Sequence, residues 1–149
     1  MDERELNFVK EAASASMITL RRDGTPHATR VGVSVVDGKV WSSGTQTRLR
    51  TRHLRRDPRS TLFVFDTTPD KNWRWLTLES TVTILDGDDA PQLNMRLFET
   101  MQARMPTPPA PGRFSWFGQE MSAEEFVAKM VEEKRLIYEF DVKRAYGMF

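Results

Sequence analysis

Hydrophobic positions along the chain change their period several times, and each change marks an element. Leu6, Val9, Lys10 and Ala13 fall at helical spacing with acids just before them, where a helix dipole favours negative charge. This predicts a short N-terminal helix covering one end of the fold. Residues 17–20 lead into the turn signal Arg22-Asp23-Gly24-Thr25-Pro26, and an extended run over 27–36 ends at Asp37-Gly38. Two hairpins in succession predict an antiparallel meander. Within the second strand Val31, Val33 and Val35 alternate with Arg30, Gly32 and Ser34, so one face packs and the other is small and polar. Gly32 removes side-chain bulk, which suits either a close approach to the backbone or a bend in a curved sheet.

Residues 40–44 read as the next strand. Thr45-Gln46-Thr47 then offers N-cap candidates for a helix running through Leu49 and Leu54 to a stop at Asp57-Pro58. The apolar run Thr61-Leu62-Phe63-Val64-Phe65 predicts a central strand covered on both faces. Over 73–85 the pattern separates Leu76, Leu78, Val82 and Ile84, which form a core face, from Trp73, Trp75, Thr77, Glu79, Thr81 and Thr83. Two tryptophans on the second face predict an interface or a ligand site.

Asp88-Asp89-Ala90-Pro91 opens a helix with Leu93, Leu97, Met101 and Met105 on one stripe. The Pro-rich stretch 105–112 then connects to a further helix, begun by the capping sequence Ser122-Ala123-Glu124-Glu125. Residues 136–142 alternate as a last strand. About six hairpin-linked strands with inserted helices predict a β-rich α+β fold, an antiparallel barrel in preference to a parallel sheet.

A chain of 149 residues suits a single domain over 1–149. The absence of Cys excludes disulfides, thiolate metal sites and thiol catalysis, and fits a reducing compartment, so cytoplasm is the expected location. The N-terminal residues are acidic where a signal peptide is basic, and no stretch approaches the roughly 18 apolar residues of a membrane span. Two histidines, His27 and His53, without a ligand set nearby argue against a transition-metal site. No glycine-rich nucleotide loop and no Ser-His-Asp signature is present.

The formal net charge is only +1, yet Arg48-Leu49-Arg50-Thr51-Arg52-His53-Leu54-Arg55-Arg56-Asp57-Pro58-Arg59 concentrates six arginines around one short helix. Three readings fit. One is a solvated basic face. A second is a phosphate receptor, in which free N–H groups at the helix start, the dipole, a Thr hydroxyl and Arg forks converge. The third is a nucleic-acid patch, which needs an extended basic surface, aromatic stacking platforms or a known motif.

A strand ending in Ser42-Ser43-Gly44, a short spacer, Arg48-x-Arg50-Thr51-x-x-Leu54-Arg55-Arg56-Asp57-Pro58-Arg59 and then a hydrophobic strand resembles the pyridoxamine-phosphate-oxidase-like split-barrel flavoprotein superfamily. The likeness is greatest to its branch of deazaflavin (coenzyme F420)-dependent reductases. It extends from Ile18-Thr19-Leu20 and Asp23-Gly24-x-Pro26 to Trp73, Glu79 and the closing Tyr146-Gly147. The resemblance implies a homodimeric antiparallel split β-barrel with short peripheral helices. It implies cofactor phosphate binding by Arg48, Arg50 and Thr51. The family commonly has Lys and Asn at the positions of Arg50 and His53; Arg keeps the charge, whereas His53 changes the hydrogen-bond inventory. It further implies that the cofactor ring lies against Gly32, Ser42 and Ser43, with Trp73 walling the site from the partner subunit and Trp75 packing in the dimer.

The activity implied is hydride transfer from reduced coenzyme F420 to a small conjugated or carbonyl-containing acceptor. The alternatives are an FMN-dependent oxidase or reductase and a non-catalytic carrier. The longer anion of the deazaflavin, a phosphodiester with a glutamyl tail, suits the arginine segment better than FMN does. No catalytic residue is nominated, because a hydride-supplying cofactor asks the protein to orient it, exclude water and admit substrate. The Pro-rich stretch reads either as a plain surface connection or as a border of the acceptor side of the groove, with Phe114, Trp116 or Phe117 offering an apolar wall.

Overall fold

The structure is a computed structural model that describes residues 1–149. Order begins at Asp2, whose carboxylate accepts from the Glu5 N–H while the Glu5 carboxylate accepts from the Asp2 N–H, at 2.8 and 2.7 Å. This reciprocal cap starts α1 (Glu3–Ala12), whose buried face of Phe8, Val9 and Ala12 packs on the sheet. Nine strands follow in chain order: β1 (Ser14–Leu20), β2 (Pro26–Gly32), β3 (Ser34–Val36), β4 (Lys39–Thr45), β5 (Arg59–Phe65), β6 (Trp75–Leu85), β7 (Arg113–Trp116), β8 (Gln119–Ser122) and β9 (Arg135–Met148).

Seven of them form one antiparallel sheet in the order β2-β1-β5-β6-β9-β4-β3, and β7 and β8 form a separate hairpin. The extended run expected over 27–36 is therefore two strands at opposite edges. Ser14 faces Gly32 across β1 and β2, and Ser34 faces Trp41 across β3 and β4. Only the buried Val33 separates the two, so the sheet curls until both of its edges belong to one stretch of chain. The Val33 N–H donates to the Ala13 carbonyl at 3.1 Å, and the Ser42 hydroxyl donates to the Gly32 carbonyl at 2.7 Å, stitching β4 to β2. Curling in this way protects edges that would otherwise offer unpaired backbone groups.

Inside the curl lie Ala15, Met17, Leu62, Val64, Leu76, Leu78, Val82, Leu136, Tyr138 and Phe140, and each large apolar side chain buried there contributes roughly 1.5–3 kcal/mol. β5 is interior to the sheet, but the expectation that both its faces are covered is wrong. Leu62 and Val64 are buried while Phe63 is 38% exposed, so the run alternates with period two despite being apolar throughout. β9 is twice the length that alternation indicated. It pairs with β6 from Leu85↔Ile137 to Trp75↔Met148, past a bulge at Glu79/Ser80, and Gly147 permits this because a Cβ there would lie 2.2 Å from the Trp75 carbonyl oxygen.

The inserted helices are α2 (Leu49–Arg56), α3 (Ala90–Gln102) and α4 (Ala123–Glu132). Contrary to expectation, neither Thr45 nor Thr47 caps α2. Arg48 occupies the cap position and no side chain bonds there. The Met105 stripe position is also lost, because α3 stops at Gln102 and Met105 is exposed. Between α3 and α4 the Pro-rich stretch leads into the β7–β8 hairpin, turned by Phe117 and Gly118 with positive φ of 48° and 79°, as a two-residue hairpin requires. Phe114, Trp116, Phe126 and Met130 make a small core of their own, fixing this hairpin against α4.

Candidate arginine-walled cleft

Six elements, β2, β4, α2, α3, β7 and β9, meet around a cleft of about 450 Å³. One wall is cationic: Arg30 near the end of β2, Arg48 and Arg50 at the start of α2, and Arg135 at the start of β9. The other is apolar: Leu97, Phe98 and Met101 of α3, with Trp116 and Phe117 of the hairpin. No carboxylate lines it. Arg135 is paired with Glu133 at 2.8 Å and its guanidinium lies 4.9 Å from the centre of the Trp116 ring. Arg30, Arg48 and Arg50 take part in no ion pair.

Arg50 is the most constrained of the four. Its guanidinium sits 5.6 Å from the Tyr138 ring centre, and its Nε is buried with no hydrogen-bond partner. Burial holds the Arg50 pKa below its ordinary value, and the neighbouring Arg48 and Arg135 cations push the same way. An anion brought to this wall supplies what the chain omits, a counter-charge and an acceptor. The uncapped start of α2 adds the positive end of a helix dipole beside it.

Of the residues singled out from sequence, Gly32, Ser43, Arg48 and Arg50 come together in this cleft. Thr51 does not line it. Its buried hydroxyl donates to the Thr45 carbonyl at 2.6 Å and lies 2.5 Å from the Tyr138 hydroxyl, tying α2 to β4 and β9. Ser42 points to the opposite side of β4 from Ser43 and bonds Gly32. His53 faces away, on the far side of α2, where its Nδ1 lies 2.9 Å from the Thr19 hydroxyl and its ring stands edge-on to His27 at 5.3 Å. Burial depresses the His53 pKa, with His27 and then Arg56, Arg21 and Arg52 adding to the effect.

Trp73 is 53% exposed in the connection before β6 and does not reach the cleft within one chain. Trp75 stacks on Phe63 at 5.6 Å and meets Tyr146 edge-on at 6.5 Å, giving β5, β6 and β9 an outer apolar face with exposed Phe63, Tyr146 and Met148. Phe114 is buried beneath the hairpin, whereas Trp116 and Phe117 do wall the cleft. Arg30 and Arg135 were not singled out. Arg30 was visible as the residue two before Gly32 on the same strand face. Arg135 had no local signal, because it arrives by pairing opposite Thr45.

A curled antiparallel sheet with peripheral helices and an anion-ready cleft at the start of its second helix defines the split-barrel class. The chain belongs to the pyridoxamine 5'-phosphate oxidase family, which it matches over residues 1–146. Among solved structures, the conserved hypothetical protein Rv2991 from Mycobacterium tuberculosis is 24% identical with a TM-score of 0.74, over 99% of this chain and 84% of that one. An F420 reductase is 18% identical with a TM-score of 0.66, over 98% of each chain. HutZ, the heme storage protein from Vibrio cholerae, is 12% identical with a TM-score of 0.66, over 98% of this chain and 94% of that one. At these identities the likeness is one of fold. No curated protein sequence matches the chain. No helix is long and apolar enough to cross a membrane.

Proposed function

We propose that this chain is a cytoplasmic oxidoreductase of one domain that works as a homodimer, holds coenzyme F420 in the arginine-walled cleft, and passes hydride from the reduced cofactor to a small conjugated or carbonyl-containing acceptor. The observation that carries the reading is the cationic wall itself: Arg30, Arg48 and Arg50 without ion pairs, and Arg50 with a buried, unpartnered Nε, beside the uncapped start of a helix. Family membership and the presence of an F420 reductase among the structural neighbours support it.

When bound, the deazaflavin supplies hydride-transfer chemistry that no side chain can. Arg48 and Arg50 hold its phosphodiester by charge-assisted bonds. Gly32 lets Met101 of α3 pack closely over the floor of the cleft, since a Cβ there would come within 2.8 Å of the Met101 Cε. Leu97, Phe98, Met101 and Trp116 exclude water from the ring, and Phe117 at the rim leaves the acceptor an apolar approach. Thr51 serves by holding the helix that carries Arg50, and Ser42 by closing the barrel beside Gly32. The outer face of Phe63, Trp75, Tyr146 and Met148 is the proposed dimer interface, with Trp73, exposed two residues before Trp75, as the proposed wall toward the partner.

FMN is the alternative cofactor. Its single phosphate would occupy Arg48 and Arg50 and leave Arg30 without an anion, whereas Arg135 already pairs with Glu133, and the unpaired Arg30 is why the longer anion is preferred. A carrier without turnover is the second reading, favoured by the similarity of fold to a heme storage protein. Mixing the purified protein with reduced F420 and a panel of enones, quinones and aldehydes, and following cofactor oxidation by absorbance, separates these readings. Catalysed oxidation dependent on one acceptor class supports the reductase. Stoichiometric binding with no turnover across the panel supports the carrier.

A further inference from the structure

Every arginine in the cleft is a donor only, so the cleft as a whole asks its ligand for acceptors. Ser43 is different. A serine hydroxyl ordinarily rotates to donate or accept as its partner demands, but here the rotation is fixed. The Ser43 Oγ lies 2.5 Å from the Asn94 Oδ1, and Asn94 is fully buried with its Nδ2 donating to the Ala90 carbonyl at 2.9 Å. Turning the amide over would set its oxygen against the Ala90 carbonyl oxygen, two acceptors with no proton between them, so the amide has one orientation. The Ser43 proton is thereby committed to Asn94, and what remains toward the cleft is lone pairs. Ser42, its neighbour on β4, is similarly committed to the Gly32 carbonyl and faces away.

We infer that Asn94 is a positioning residue that locks Ser43 as a hydrogen-bond acceptor, so that the cleft selects a ligand presenting an N–H donor at this point while its anionic portion lies on the arginine wall. The inference rests on the proposed cofactor reading and deepens it: the ring imide N–H of a deazaflavin or flavin is a donor of the required kind. The positioning also explains why an amide is buried completely inside α3 at Asn94, where an apolar residue would otherwise pack without needing partners.

The test compares ratios of affinities. The protein is titrated with F420 and with F420 methylated at the ring imide nitrogen, and in parallel with FMN and 3-methyl-FMN, following fluorescence. The wild type should prefer N–H over N–methyl by about tenfold or more, as expected when an acceptor loses its donor and meets a methyl group instead. Ser43→Ala should bring that ratio to within about threefold, whereas Asn94→Leu, which frees the hydroxyl to turn, should lower it by less, because the freed oxygen can still accept from an N–H but is no longer held as an acceptor. A structural role alone for Asn94 would weaken both members of a pair together and leave the ratio unmoved. Equal affinities in the wild type, or a ratio unchanged in Ser43→Ala, overturns the inference while the cofactor reading stands. Failure of all four ring compounds to bind overturns both. Should Asn94→Leu not fold, the ratio in Ser43→Ala decides.

Discussion

Arg50 shows how a residue can be poorly satisfied in the isolated chain and still well placed. Burying a guanidinium without a counter-charge costs stability, and the cost is recovered only when an anion arrives. Replacing Arg48 and Arg50 together by Ala should therefore weaken F420 binding by at least about 2 kcal/mol, since charge-assisted bonds contribute roughly 1.5–3 kcal/mol each. The same replacement should leave the folded state intact, because neither side chain has an ion-pair partner to abandon. Calorimetric titration of the folded double variant checks this, and an unchanged affinity would return the arginines to a solvated basic face. Thr51 behaves in the opposite way. Thr51→Val keeps the shape but deprives the Thr45 carbonyl and the buried Tyr138 hydroxyl of a partner, so urea denaturation should show a loss of about 1–3 kcal/mol. If stability is unchanged and only affinity falls, Thr51 contacts the phosphate directly.

At the scale of elements, period and capping carried much of the fold, and their failures have physical causes. The capping box at Ser122 was local and correctly read, whereas at Asp2 only the acids of the first turn pointed to a helix start and the reciprocal cap was not recognised. The continuous 27–36 strand was not separable into β2 and β3, because alternation runs straight through Val33 and only pairing partners distinguish the halves. The β7–β8 hairpin was hidden because Phe117, which turns it, is not a usual residue for positive φ, and the proline cluster upstream drew attention to a longer connection. Half of the site was legible for the same reason: Arg48, Arg50 and Gly32 belong to dense or patterned segments, whereas Arg135 and Asn94 enter through long-range pairing and helix packing. The hairpin tip now carries the acceptor-side expectation. Phe117 is 88% exposed at the cleft rim, so Phe117→Ala should raise the Michaelis constant for an apolar acceptor while cofactor affinity stays within about 0.5 kcal/mol. Steady-state kinetics unchanged across several acceptors would remove the hairpin from substrate selection.

For the whole molecule, the curled sheet buries one face and leaves on the other an aromatic strip from Phe63 through Trp75 to Tyr146 and Met148. Exposed aromatic surface of this kind is where a second copy is expected, and the proposed dimer follows from it. Sedimentation should find a dimer at micromolar concentration, and Trp75→Glu, which places a charge in the strip, should yield monomers. A wild-type monomer that still binds cofactor fully would rule out a shared site. The central claim is that the arginine-walled cleft is built for a deazaflavin, and one titration addresses it directly. Isothermal calorimetry of the purified wild-type protein with F420 and, separately, with FMN should give saturable binding of one F420 per chain, at least about tenfold tighter than FMN, because the longer anion engages the unpaired Arg30, which a single phosphate leaves alone. FMN binding as tightly as F420 or more so, or no binding of F420, would contradict it.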